Sequence, residues 1–359
     1  MAFFHSLIFR LLALLPAAAC AQVHTSSKPT RMQPYQIEKF ILTAGPCAAD
    51  GYWVTIQGGA FTCSDGTSFA VPAGHTLRST WGASGTTWSS GDDRHPAPER
   101  LSLTWFSYAE DKFYQGAFLL PQERLHRLLK QGSWDIEKQK QVTFNELTVC
   151  VLPKGEVVVW LTRGNKTVIG RYEAQEFIPT PTQYARYYGH VDRALMVKNT
   201  QAELPAEVQA EIKAGTLSTK KWREYLQPYP WQVAFAQPLT LYKYSVNLVS
   251  AEYLNDPLTR EGMEAYRNVV LQPSLKALPV KLSFYGQTPH KARYLVRAKQ
   301  FDQAEVRAAA EQLLKEHPAA PLTFYFALDK PYQKATLSLR NEWREVLLTK
   351  VLVEVLPEE

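Results

Sequence analysis

Residues 103–121 read LTWFSYAEDKFYQGAFLLP, and the fold is organised around them. Leu101, Leu103 and Trp105 alternate with Ser102 and Thr104, the period of a strand with one buried face. Tyr108 to Lys112 is a polar turn, and Phe113 to Leu120 is a second strand. Pro121 then stands at a first helical position, Leu125, Leu128 and Leu129 repeat at helical spacing, and Gly132 ends the segment. The unit is strand, turn, strand, helix. Beyond it, Leu147, Val149 and Val151 mark one strand face, and Pro153 to Gly155 is a turn. Val157 to Leu161 is an apolar strand, and Gly164-Asn165 turns into Thr167 to Tyr172.

The last third repeats this outline. Val280 to Tyr285 and Ala292 to Ala298 read as strands, and Leu282 and Lys291 keep the spacing of Leu103 and Lys112. Asp302 with Glu305 starts a helix as a capping box. Leu322, Phe324, Phe326 and Leu328 alternate along a strand, and Ala335 to Leu339 and Val346 to Leu356 follow. The expected fold class is α+β: two β-rich lobes of mainly antiparallel sheet, each with a packed helix, consistent with an internal duplication, and joined by a helical insert. The expected boundaries are a signal peptide over 1–20, a flexible tether over 21–37, a first lobe over 38–172, an insert over 173–245 and a second lobe over 246–359.

Within the insert, Val208 and Ile212 lie on one helix that begins at Leu204-Pro205 and ends at Gly215. Ser218 caps a second helix bearing Trp222, Tyr225 and Leu226 and stopped by Pro228. The cluster Trp222, Tyr225, Tyr229 and Trp231 reads as packing between lobes, with a sugar cradle as the alternative.

Three segments carry a resemblance: LTWFSYAEDKFYQGAFLLP, VLPKGEVVVWL (residues 151–161) and ELPAEVQAEIKAGTLSTKKWREYLQPYPW (residues 203–231). Together they resemble the bacterial lipoprotein family known as domain of unknown function 2931, over roughly residues 50–235 and onward to the C-terminus. Lys154 departs from the pattern, standing where the family often has Gly. The resemblance implies cell location and architecture and no reaction.

Leu7 to Ala19 is apolar, too short to span a bilayer comfortably, and ends in small residues, as in an export signal. Ala17-Ala18-Ala19-Cys20 reads as a lipobox that would make Cys20 the lipidated N-terminus; cleavage after Ala21 is the alternative. The resemblance favours the lipoprotein. Several acyl chains at roughly 0.8 kcal/mol per buried methylene anchor stably. Ala21 after the Cys points to the outer membrane, with the fold facing the periplasm; without lipidation the protein would be free in the periplasm. In an oxidising compartment Cys47 and Cys63 are spaced for a disulfide worth roughly 3 kcal/mol, with two free thiols as the alternative. Cys150 reads as a buried thiol.

The formal charge of +6 over 359 residues is scattered without a dense Lys/Arg block, which argues against nucleic-acid binding. Zinc-peptidase, nucleophile-elbow, phosphate-loop and dinucleotide motifs do not occur, so no catalytic residue, metal ligand or cofactor is assigned. The segment 81–98, WGASGTTWSSGDDRHPAP, is a long loop rich in Gly, Ser and Thr. Either it is a surface loop whose tryptophans pack back, or it binds a ligand through Trp81, Trp88, Asp92, Asp93 and His95. Glu110 and Asp111 read as solvated or paired with Lys112. Tyr184, Tyr187 and Tyr188 line a pocket or belong to a half-buried linker. The leading expectation is a monomeric, non-enzymatic lipoprotein that binds an envelope protein or glycan. A hydrolase or glycan-active protein using the 81–98 loop is the alternative, and immunity against a secreted toxin a further one.

Overall fold

In the computed structural model, which describes residues 32–78, 80–88, 93–258 and 269–358, the quoted stretch folds as the hairpin and helix that its pattern predicts. From Pro34 onward the chain forms one compact unit. Its first half contains α1 (Pro34–Ile37), β1 (Phe40–Ile41), β2 (Thr43–Ala48), β3 (Val54–Thr62), β4 (Ser68–Ala70), β5 (Thr76–Leu77), β6 (Arg94–His95), β7 (Arg100–Ser107) and β8 (Lys112–Leu119). Then come α2 (Gln122–Gln131), β9 (Ser133–Asp135), β10 (Lys140–Val142), β11 (Glu146–Val151), β12 (Glu156–Arg163), β13 (Asn165–Glu173) and β14 (Gln175–Phe177). The insert is α3 (Pro181–Tyr188), α4 (Arg193–Glu203), α5 (Ala206–Ala214) and α6 (Lys220–Tyr225). The second half runs through β15 (Tyr229–Phe235), β16 (Thr240–Leu248), β17 (Tyr253–Asp256), β18 (Ser274–Lys276), β19 (Pro279–Gln287) and β20 (Arg293–Lys299). The helix Gln303–Glu316 follows, and β21 (Leu322–Leu328), β22 (Ala335–Arg340), β23 (Glu345–Leu347) and β24 (Leu352–Pro357) complete it.

One strand order occurs twice. In the first half β2-β11-β12-β13 form one layer and β4-β3-β7-β8-β14 the other. In the second half β15-β21-β22-β23 and β17-β16-β19-β20-β24 repeat that order, and the strands follow one another along the chain in the same sequence. Each half contains one parallel pair, β2 with β11 and β15 with β21, in which the second strand is the one that returns after the helix. A register shift between the equivalent pairs β3–β7 and β16–β19 recurs as well, at Ile56/Gly58 and at Leu241/Lys243. Apolar residues alternating on facing layers fill each interior. Leu101, Leu103 and Trp105 share a cluster with Val149, Val151, Val157, Val159 and the α2 residues Leu125 and Leu129. Phe284, Val296, Phe324 and Phe326 share another with Val306 and Ala310 of the helix Gln303–Glu316. Fully burying each such side chain contributes roughly 1.5–3 kcal/mol before entropy is counted.

The mixed α+β class matches expectation, and the join between halves differs from it. Each half is a two-layer sandwich rather than one sheet. The edge strands β13 and β17 pair at Lys166 and Tyr253, so one layer from each half merges into a nine-stranded sheet. Asn165 and Asn255 clamp this seam. The Asn255 backbone N–H donates to Asn165 Oδ1 (2.7 Å), and Asn255 Nδ2 donates to the Gly164 carbonyl (2.7 Å). The second half starts at Tyr229, not near 246, and the helices of the insert span 181–225. The fold also begins before residue 38, because α1 belongs to the compact unit and the neighbouring Glu38 meets His126 of α2 at 2.7 Å. Val346 to Leu356 divides into β23 and β24, which lie in different sheets.

The central turn is a junction rather than a solvated tip. The Glu110 carboxylate accepts from Ser107 Oγ (3.0 Å), Tyr114 OH (3.0 Å) and the Lys154 backbone N–H (2.9 Å). Asp111 pairs with Arg193 of α4 at 2.7 Å, and Lys112 pairs with Glu176 rather than with its neighbours. Lys154 sits at φ 57°, in the left-handed region that favours glycine. A glycine at this position would adopt that conformation without strain. Lys154→Gly should therefore raise stability by up to about 1 kcal/mol, read as a shift of the urea midpoint at unchanged slope. A loss of stability would mean that the lysine side chain contributes more than the strain costs.

The insert wraps the first sandwich. Thr180 and Gln183 cap α3 reciprocally, and Tyr184, Tyr187 and Tyr188 set their rings 5.9–6.3 Å from Phe113. Leu204, Val208 and Trp222 pack on the outer face of the sheet against Cys150, Val158 and Trp160. The aromatic cluster expected between lobes bridges them through Tyr225, which packs against the second-half core and against the Trp160–Trp222 cluster, while its tryptophans part. Trp222 packs edge-on to Tyr52 in the first half, and Trp231 packs edge-on to Phe324 in the core of the second.

Cys47 and Cys63 are not bridged. The cause is layering: β2 carries Cys47 in one layer, while Cys63 follows β3 in the other and its thiol donates to the Pro96 carbonyl at 3.4 Å. The strand partner of Cys47 is Cys150, and all three thiols are free and buried.

Candidate binding groove

The 81–98 loop does not gather its singled-out residues into one site. The Trp81 indole N–H donates to the Val249 carbonyl (3.0 Å), and its ring meets Trp160 edge-on at 4.9 Å. The next residues continue the strap: buried Lys166 donates to the Gly82 carbonyl, and Ser84 Oγ donates to Glu146 (2.7 Å). Trp81 therefore ties the loop to the second half, which is the packing role. Trp88 is 47% exposed. Asp92 lies outside the described residues, as does Cys20. The Asp93 carbonyl accepts from the Leu42 N–H (2.9 Å). His95 is 7% exposed, lies 4.9 Å from the Phe69 ring, and has Nδ1 3.3 Å from Thr67 Oγ1. Trp81 and His95 thus serve different parts of the fold.

The residue between Asp93 and His95 leads to a more coherent feature. Arg94, on β6, pairs opposite Ile41 on β1. This two-stranded ladder and the ladder β9–β10 flank a groove of about 420 Å3. Lys39, Arg94, Lys140 and Arg163 line it together with Phe40 and Phe144, and no carboxylate is among its lining residues. Phe144 is fully buried and forms part of the floor, while Ile41 is 52% exposed at the rim. Lys39 shares its charge with Asp65 at 3.5 Å.

Arg163 has the most unusual backbone in the groove. It closes the turn between β12 and β13 at φ 147°, a region that L side chains seldom occupy. Tight packing holds it there: Ser133 Oγ donates to the Arg163 carbonyl, and a Cβ at Gly164 would stand 2.6 Å from the same Oγ. Strain of this kind persists only where the surroundings over-determine it, and it is concentrated at functional positions. Four cations around a recess with an apolar floor favour an anion carrying an apolar portion.

The chain matches the family described as protein of unknown function (DUF2931) over residues 24–219, more than half of its length. It belongs to that family. The DUF2931 match takes in the whole first sandwich, every groove residue and nearly all of the insert, and it ends before β15 opens the second sandwich. No curated protein and no solved structure matches the chain.

The groove leaves no local signal in the sequence. Its cations stand at positions 39, 94, 140 and 163, so no local window is basic. The two ladders bring them together, and neither ladder has a repeating pattern long enough to be recognised.

Proposed function

We propose that this DUF2931 protein is an exported lipoprotein, anchored through Cys20 at the outer membrane and facing the periplasm, that works by binding an anionic envelope component rather than by turnover. The observation that carries the binding part is the groove: four cationic side chains converge on one recess, while Trp81 and His95 of the long loop are engaged in packing. The anchoring part rests on the apolar segment 7–19, which ends in Ala-Ala-Ala and is followed by Cys20.

Radiolabelled palmitate fed to cells making the full chain should enter the protein, and Cys20→Ser should abolish the label and release the protein from membranes. Label that persists in Cys20→Ser, or wild-type protein without label, removes the anchor. For the binding part, purified protein should show no turnover on broad panels of ester, peptide and glycoside substrates. A robust activity lost on His95→Ala would replace binding with catalysis.

A further inference from the structure

We propose that the groove between the β1–β6 and β9–β10 ladders binds the phosphate-bearing head group of an anionic phospholipid, so that the first sandwich sits directly on a membrane surface. The location rests on the lipoprotein reading above; the chemistry of the groove does not.

Comparison of the two halves isolates the feature. Once the shared strand order is matched, β1, β6, β9 and β10 have no counterpart among the described residues of the second half. All of the cationic lining comes from these additions and from the turn they pack against: Lys39 borders β1, Arg94 is on β6, Lys140 is on β10, and Arg163 is fixed by Ser133 of β9. The common framework therefore does not need the groove, and the additions build it.

Size and polarity choose among anions. A bare phosphate fills roughly the volume of two or three waters at ~30 Å3 each, well short of the 420 Å3 recess. A head group with its glycerol fits better, because the partly exposed Phe40, Ile41 and Val142 offer an apolar surface beside the cations. Ile41 in the lining is 52% exposed, and Ile37, two residues before Lys39 at the end of α1, is 52% exposed as well. Basic side chains around exposed aliphatic ones are the arrangement that engages an anionic interface, with cations on phosphates and aliphatics at the acyl boundary. Lys39 and Phe40 of the groove follow closely on α1, near the start of the described fold.

The test uses the mature polypeptide from Ala21 to Glu359 without acylation, so that an anchor cannot mask the groove. It should float with vesicles of phosphatidylcholine mixed with phosphatidylglycerol, and not with phosphatidylcholine alone. High salt should suppress the binding, because Lys39, Arg94 and Lys140 are exposed and Arg163 is partly so. Each basic residue near an anionic surface is worth about fivefold in partitioning, so Lys140→Gln with Arg163→Gln should weaken it roughly 25-fold. Lys213→Gln, on exposed α5, should leave it unchanged, and equal urea midpoints would show that the groove variants are folded. Equal binding by wild type and the double groove variant, or no binding to anionic vesicles, overturns the proposal. If glycerol phosphate or inorganic phosphate raises the Tm in a groove-dependent way while vesicles do not bind, the membrane assignment falls and a soluble phosphate takes its place. Vesicle binding by the mature chain with no palmitate on Cys20 in cells would keep the groove and remove only the anchor.

Discussion

Glu156→Ala is expected to destabilise the fold by roughly 3–5 kcal/mol, the cost of breaking a buried ion pair by removing one partner. Glu156 is 2% exposed at the start of β12, and both carboxylate oxygens are in use. Oε1 accepts from Thr219 Oγ1 (2.6 Å) and Arg223 Nε (2.8 Å), and Oε2 accepts from Arg171 Nε (2.9 Å). Burial by itself would raise this carboxyl. Hydrogen bonds from Thr219, Arg223 and Arg171 outweigh that effect and hold it below the usual value. A carboxyl depressed on folding contributes stability above its unfolded value near 4.5, and that stability is lost as pH falls through the folded value. The wild-type advantage over Glu156→Ala should therefore shrink in acid. Arg223 and Thr219 bring α6 to the carboxylate, so the variant should also loosen the insert, seen as earlier proteolysis between 181 and 225. Arg171 and Arg223 are 38% and 54% exposed and rehydrate readily, which places the expectation toward the lower end of the range. Urea unfolding of Glu156→Ala, Glu156→Gln and the cycle with Arg223→Ala measures it. A loss under 1 kcal/mol would show that the network is replaced by water at little cost.

This network also illustrates what could be read in advance. The hairpin β7–β8 and α2 were legible because alternation, Pro121 and Gly132 are local signals, and the same holds for α5, closed by Gly215 in a left-handed conformation. The outline shared by the two halves was visible for the hairpins and helices, whereas the seam β13–β17 was not, because pairing of edge strands from distant segments leaves no periodic trace. Helix α4 lacks an apolar stripe: Val197 is its one buried side chain. Helix α3 could have been found, since Thr180-Pro181-Thr182-Gln183 is a capping box with Pro at the first helical position. The Cys47–Cys63 spacing misled because chain separation does not report that β2 and β3 enter opposite layers. The role of Trp81 depended on a carbonyl at Val249, far along the chain, and the groove depended on four separated cations.

Stability should rise with pH between about 7 and 8.5, by on the order of 2 kcal/mol, because of Lys276 on β18. This lysine is 6% exposed. Its ammonium donates to Ser274 Oγ (2.7 Å), the Ser274 carbonyl (3.0 Å) and the Trp231 carbonyl, and lies 4.2 Å from the Trp231 ring centre. These partners are neutral, and burial pushes the Lys276 amine down to about 7. The unfolded chain binds this proton up to about pH 10.5, so between the two values unfolding takes up a proton and raising the pH disfavours it. Lys166, also lowered by burial, adds a slope of the same sign. Above about pH 8.5 the buried thiols oppose it. Burial pushes Cys63 up to about 11 and raises Cys150, and a group raised on folding loses its stabilising contribution as pH climbs past its unfolded value. The rise should therefore slow above about pH 8.5. Lys276→Met should flatten the rise and stabilise the protein at pH 7 by roughly 2 kcal/mol, less than the full desolvation term because three hydrogen bonds are lost with the charge. Urea unfolding at half-unit steps across this range tests both statements. A flat wild-type profile, or an unchanged slope in Lys276→Met, would mean that the amine keeps its proton in the folded state.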